Sequence, residues 1–500
     1  MEKTKTIETI KSCLIVVLSL SAVLLLYFFW ENLSLKNIRW AWNAESEEVQ
    51  QPVEVPEIQE VILPIEVQIH LEGELYAVIL PEDYDSWRTG VMALARFSKG
   101  DGYVEEISKE KYDEVMSYRS LQIEFAYNVP FEGFCRQFGV AYAKYGAVRN
   151  VTLLAYSEAT PESLFIYDRA ANRYYRLVGP EQETAPFSQL IQAVESDGTY
   201  DPYYPASSYM GVEESDAVLP VYLERSLTRV TVTQAYSGEN RDASAAEFAQ
   251  TFFGESFDFT RRLEDSTGTI TYMYDYGSKV LTVDDKGIAI YKEELSDPVS
   301  TQGFYGSLDT AIQFVGEHGG WYPKCEELRL EEYGLTPFLW TGQEIQQSGR
   351  SGYRFAFGFR RGNEVFYSNE GPAIIVEVFD GQVTYYFRNV FEAVLVRGIV
   401  SSLWEANDSA NTIAQNYDWI YETLKTTGNY TFEDGKKEEK GEARFDRVAG
   451  DVERVQEGYL INSKSGSALA DRCWVIQIDG VLFYFDLFSG EALGYTAVGR

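Results

Sequence analysis

Residues Cys13 to Trp30 (CLIVVLSLSAVLLLYFFW) form an uninterrupted uncharged run of 18 residues, and this run constrains the chain more than any other feature. At ~1.5 Å rise per residue, a helix of that length spans about 27 Å, enough to cross the hydrocarbon core of a bilayer. The run exceeds the roughly 7–15 residues of a signal-peptide core. No A-x-A cleavage site follows it, because Ala41 and Ala44 stand three apart. The segment ends in Tyr27-Phe28-Phe29-Trp30, with Tyr27 and Trp30 as the expected anchors at the membrane–water interface. The sequence therefore predicts a retained transmembrane helix over residues 12–30. Lys3, Lys5 and Lys11 precede it against Glu2 and Glu8. That bias predicts a cytoplasmic tail over residues 1–11 and a single-pass protein of the cell membrane whose bulk lies outside.

Beyond the helix, Leu33, Leu35, Ile38, Trp40 and Trp42 extend apolar contact along the interface. Glu45, Glu47, Glu48, Glu54, Glu57 and Glu60 follow without a base, together with Pro52 and Pro56. Self-repulsion and proline stiffness favour an extended stalk, so residues 31–62 read as interfacial segment and acidic stalk. The whole chain carries 77 acidic against 43 basic residues, a formal charge of −34. Binding nucleic acid requires Lys and Arg to displace counterions, so this balance excludes nucleic acid as a partner. Outside the anchor only Cys135, Cys325 and Cys473 remain, without C-x-x-C spacing, which speaks against a disulfide scaffold or a structural zinc site.

About 440 residues after the stalk exceed what one core usually holds. The Tyr/Pro/Ser-rich stretch near 201–211 and the Gly/Gln/Ser-rich stretch at 342–352 suggest domains over 63–205, 206–341 and 342–500. Helix patterns are sparse. Ser108 precedes Tyr112, Val115 and Met116; Phe187, Leu190, Ile191 and Val194 form a stripe that stops at Gly198. Ser244-Ala-Ala-Glu247 has capping-box spacing before Phe248 and Phe252, and Ser307 is expected to cap a helix ending at Gly319-Gly320. The longest pattern runs from Ser409 to Gly428. Between helices the period changes to two, with Asp380-Gly381 and Asp479-Gly480 each joining two apolar runs as a hairpin turn. Looser hairpins turn at Gly287 and Asn172. The fold class expected is α+β: a single N-terminal transmembrane helix, then a multi-domain ectodomain of antiparallel sheets and hairpins with packed helices.

No residues stand out as catalytic, cofactor-binding or metal-ligating. His318, in Glu-His-Gly-Gly-Trp, is read as a helix terminus where a cationic ring suits the dipole, since no G-x-S-x-G elbow accompanies the glycines. His70 reads as an ordinary strand residue. Asp284-Asp285-Lys-Gly reads as a turn rather than a calcium loop. The abundance of acids leaves a glycosidase-type carboxylate pair open, and the aromatic content leaves a sugar-binding sheet open.

Four segments together resemble the YycH family, the extracytoplasmic regulators of the WalK/WalR two-component system of Firmicutes. These are Ile7–Ser21 at the anchor, Leu121–Gly139 (LQIEFAYNVPFEGFCRQFG), Lys279–Gly320, and the closing Cys473–Leu493 (CWVIQIDGVLFYFDLFSGEAL), which also resembles the end of the related YycI. The resemblance implies a regulator rather than an enzyme, acting with a YycI-like protein on a WalK-like sensor histidine kinase through transmembrane-helix and ectodomain contacts. Ser12, Ser19 and Ala22 fall near one face of the anchor and form the expected partner-contact face. A membrane-tethered cell-wall or carbohydrate-binding module is the alternative, followed by an anchored hydrolase.

Overall fold

The computed structural model describes residues 55–497, apart from 80–85, 100–101, 180, 213–214, 222, 235, 237–240, 297–300, 322–335, 362–363, 431–440 and 463–467. The expected transmembrane helix, with Ser12, Ser19, Ala22, Tyr27 and Trp30, lies outside the described residues, as does Cys325. No helix among the described residues is long and apolar enough to cross a membrane.

Period-two burial builds the first sheet. Ser120–Pro130 alternates buried and half-buried residues along its length, and sits centrally with a neighbour on each side. The strand order is Tyr103–Ile107, Arg173–Val178, Ser163–Asp168, Asn150–Ser157, Ser120–Pro130, Glu66–His70, Tyr76–Ile79, Pro202–Pro205 and Val218–Pro220, antiparallel throughout. Helices cover both faces. Ser86–Lys99 and Ala185–Asp197 set Phe97, Phe187 and Ile191 into the core with Leu154, Tyr156 and Ile166. Lys109–Met116 sets Tyr112, Val115 and Met116 on Ala155, Phe165 and Tyr174 of the opposite face. Each large apolar side chain so buried contributes roughly 1.5–3 kcal/mol. The caps fall where the sequence places them: Ser108 Oγ accepts from Lys111 N–H at 3.3 Å, and Gly198 ends its helix at φ 64°.

The second sheet holds 15 described strands. From one edge they run Arg261–Glu264, Ile270–Tyr274, Lys279–Val283, Ala289–Glu293, Gln382–Arg388, Ile374–Phe379, Arg350–Arg361, Glu364–Ser368, Val452–Asn462, Ala468–Ile478, Glu224–Gln234 and Phe391–Glu405. Thr336–Gln347 joins Arg350–Arg361, while Val481–Asp486 and Ala492–Ala497 extend from Ala468–Ile478. Among the described pairs only Glu364–Ser368 with Val452–Asn462 is parallel. Both expected Asp-Gly hairpins form, with φ of 50° and 83° at Asp380 and Gly381, and 47° and 72° at Asp479 and Gly480. Two positive values in succession are what a type I′ turn requires. The α+β class with antiparallel sheets is thus as expected for the described residues.

Two helix starts differ from expectation. Ser244 lies inside Arg241–Phe253, whose first turn carries Asp242 at the electropositive end. Ser307 is buried inside Phe304–Glu317, because Phe304 packs against Tyr127, Tyr353 and Phe355 and draws the helix one turn further back. Tertiary contact overrides the local cap in this helix. The same helix joins the sheets: Tyr305 Oη donates to the Pro130 carbonyl at 3.0 Å, and its ring covers Gly133 so closely that no room is left for a Cβ there. Val55 to Ile62, the end of the segment expected as stalk, also packs here: Val61 and Ile62 are fully buried and Val55 abuts Gly316. The largest core cluster is continuous through both sheets, and residues 53–500 form one compact unit.

Candidate functional site

The register of the first sheet sets Glu66 directly opposite Glu124, two like charges on one face. Such a pair is unfavourable unless a cation intervenes. The cation comes from the other sheet. Arg454, on Val452–Asn462, reaches Glu124 at 2.8 Å and Glu66 at 3.5 Å, and Arg169 reaches Glu124 at 2.9 Å from the outer side. All three members of the central triad are substantially buried, with side-chain exposures of 9, 7 and 15 % for Arg454, Glu66 and Glu124. Burial pushes Glu66 above its ordinary pKa against the pull of Arg454, and the Glu124 charge adds to the rise. Burial also opposes ionisation of Glu124, but Arg454 and Arg169 together hold it below its ordinary value.

Beside this triad a cleft of about 470 Å³ opens between the sheets, a volume within the range of small-ligand sites. Ile65, Val78 and Tyr203 form one wall, and Trp340, Tyr367 and Tyr459 the other. Arg225 ties them together: its Nε donates to both oxygens of Glu457, at 2.8 and 3.0 Å, and its guanidinium meets Asp201 at 2.5 Å. Arg472 lies 3.9 Å from Glu457 and 5.6 Å from the Tyr459 ring centre. Arg360 is 5 % exposed and stands over the Phe338 ring at 5.9 Å. Burial lowers its pKa to about 10. Trp340 meets Tyr367 edge-on at 5.3 Å, and Gln456 Nε2 donates to Tyr367 Oη. Glu66 and Asp201 are each held by a guanidinium of the second sheet, Arg454 and Arg225, so these two carboxylates clamp the sheets, and Glu457 steadies Arg225 within the second. The cleft is lined by aromatic rings and by three arginines, Arg225, Arg360 and Arg472, set among the carboxylates Glu66, Asp201 and Glu457.

Sequence patterns alone give no sign of these arginines. Arg225 and Arg454 are single basic residues at polar positions of strands, and Arg360 opens an Arg-Arg pair at a strand end, patterns indistinguishable from solvent exposure when the partner strand is unknown. Of the residues that do stand out in the sequence, His70 ends the strand Glu66–His70, where Nδ1 donates to the Tyr118 carbonyl at 2.9 Å, and Nε2 lies 2.8 Å from that of Gly73. Asp284 Oδ1 accepts from the N–H groups of Lys286 and Ile288 at 3.0 and 2.8 Å, a turn as expected. Cys135 and Cys473 are buried free thiols, and burial pushes Cys135 up to about 12. No group of three or more His, Cys, Asp or Glu among the described residues is placed to hold a metal ion.

His318 requires a correction. It does end the helix Phe304–Glu317, with Nδ1 donating to the Phe314 carbonyl at 2.7 Å. The ring, however, stacks on Phe314 at 3.9 Å and abuts Phe252 at 4.4 Å, and burial lowers its pKa below the ordinary 6.5. A neutral imidazole packed among aromatics replaces the expected cation at the helix dipole. Because the folded pKa is the lower one, stability is intact above the unfolded value of 6.5 and falls as pH drops towards the folded value. Denaturation midpoints taken between about pH 7.5 and about pH 5.5 should therefore fall less in His318→Phe than in the parent chain.

No protein-family profile matches the chain, and no curated protein matches it in sequence. Among solved structures, the crystal structure of YycH from Bacillus subtilis superposes with a TM-score of 0.50 at 10 % identity, covering 87 % of this chain and 98 % of that one. At so low an identity the likeness speaks for the fold, and the chain has a YycH-like fold.

Proposed function

We propose that this chain is a membrane-anchored extracytoplasmic regulator that biases a WalK-like sensor histidine kinase between signalling states, together with a YycI-like protein. The observation that carries this reading is a fold likeness extending over 98 % of the B. subtilis YycH chain, in a sequence whose anchor and closing strands resemble that family. The anchor over residues 12–30 holds the amino terminus in the cytoplasm and the bulk outside. Ser12, Ser19 and Ala22 provide the face on which partner helices pack. A coupling free energy of ~1–3 kcal/mol changes kinase output about 5–150-fold, so a few helix contacts suffice. Replacing residues 13–30 by an unrelated poly-Leu span should abolish regulation while preserving insertion. Kinase output is read in cells carrying each version; unchanged output from the swapped chain sinks the helix-contact mechanism.

A further inference from the structure

Among the described residues the second sheet ends on a short edge, Arg261–Glu264, paired on one side only, with Ile270–Tyr274. Asp265 N–H donates to the Thr269 carbonyl at 3.1 Å, continuing that ladder by one residue. Backbone groups alternate sides along a strand. Residues 261, 263 and 265 therefore direct theirs inward, and Arg262 and Glu264 present theirs to the free edge. All four residues of the strand are exposed. Leu263 is 40 % exposed, and Phe259 just before the strand and Tyr276 just after its neighbour are 79 and 103 % exposed. A strand edge whose N–H and C=O groups lack partners is a place where another strand adds.

We propose that this edge pairs antiparallel with the same edge of a second copy of the chain, about a two-fold axis through Leu263. An isologous contact must be self-complementary. In this register Arg262 faces Glu264 of the copy, and Glu264 faces Arg262. On the other face of the ribbon, Leu263 meets Leu263 between two Arg261–Asp265 pairs. Four acid–base pairs then flank one apolar contact, and the outward backbone groups of Arg262 and Glu264 bond across the axis. The register shifted by one residue about Arg262 places that arginine on itself, a like-charge pair that disfavours it. Within one chain Arg262 meets Asp242 at 3.0 Å and Glu264 at 3.1 Å, so the four side chains at the axis form a ring of alternating charge. The pairing is independent of the regulatory role proposed above.

The test is disulfide trapping in the full chain, purified in detergent micelles and oxidised with copper phenanthroline. A non-hydrogen-bonded antiparallel pair separates Cα atoms by about 4.5 Å, within the span of a disulfide. Leu263→Cys should form a covalent dimer, read on a non-reducing gel. Ser266→Cys, also exposed but about 20 Å from its counterpart in this register, should give at least roughly tenfold less. The parent chain, with its own four cysteines, sets the background that the Leu263→Cys yield must exceed. On the Leu263→Cys background, Arg262→Glu and Glu264→Arg should each lower the yield several-fold, and the two together should restore it. Equal yields at 263 and 266, or none at 263 in protein that melts like the parent, overturn the proposal. So does a yield indifferent to the charge reversals.

Discussion

Arg454→Met is expected to destabilise the folded chain by about 3–5 kcal/mol, read from the chemical-denaturation midpoint. The substitution leaves Glu66 and Glu124 opposite each other, buried at the junction of two sheets, with Arg169 compensating only the outer one. Methionine keeps most of the volume, so the loss reports the uncompensated charges rather than a cavity. Two further measurements separate these causes. Adding Glu66→Gln and Glu124→Gln to Arg454→Met should recover most of the stability, because the buried charges are then gone. The deficit of Arg454→Met should also shrink as pH falls. Both carboxyls are pushed up by burial and mutual repulsion once the guanidinium is lost, so the folded state then takes up protons more readily than the unfolded one. A variant as stable as the parent at neutral pH refutes the clamp.

Trp321→Ala should cost about 3–5 kcal/mol, the range for removing a large aromatic side chain from a packed interior. Trp321 is fully buried, meets Phe357 edge-on at 4.9 Å, and donates from Nε1 to the Ile312 carbonyl at 2.9 Å. Arg388 holds the glycines ahead of it, donating to the Gly319 and Gly320 carbonyls at 2.8 Å each. The His-Gly-Gly-Trp motif therefore ends a helix and folds the next residue back into the core. Trp321→Phe, which keeps the ring and loses the hydrogen bond, should cost distinctly less. Equal midpoints for the alanine variant and the parent overturn this account.

Local features are legible in the sequence. The Asp-Gly turns, the stripe from Phe187 to Val194 ending at Gly198, and the Ser108 cap depend on contacts within a few residues, and each appears where expected. The starts of Arg241–Phe253 and Phe304–Glu317 are less legible; in the second a buried Phe304 outweighs a serine cap. The candidate site is not legible. Its defining contacts, such as Arg225 to Glu457, join residues 232 positions apart, and nothing near either one announces the other.

Consecutive residues already carry the period of the elements, the turns between them, the acidic composition, and the uncharged run at Cys13–Trp30 that predicts an anchor. Tertiary packing sets which strands meet, places Arg454 between Glu66 and Glu124, opens an aromatic cleft of paired charges beside them, and leaves Arg261–Glu264 as an edge among the described residues. The physical reason is range. Backbone sterics and hydrophobic periodicity act over a few residues and leave their mark in consecutive letters. Charge compensation acts through space, and its partners are neighbours only once the sheets have packed.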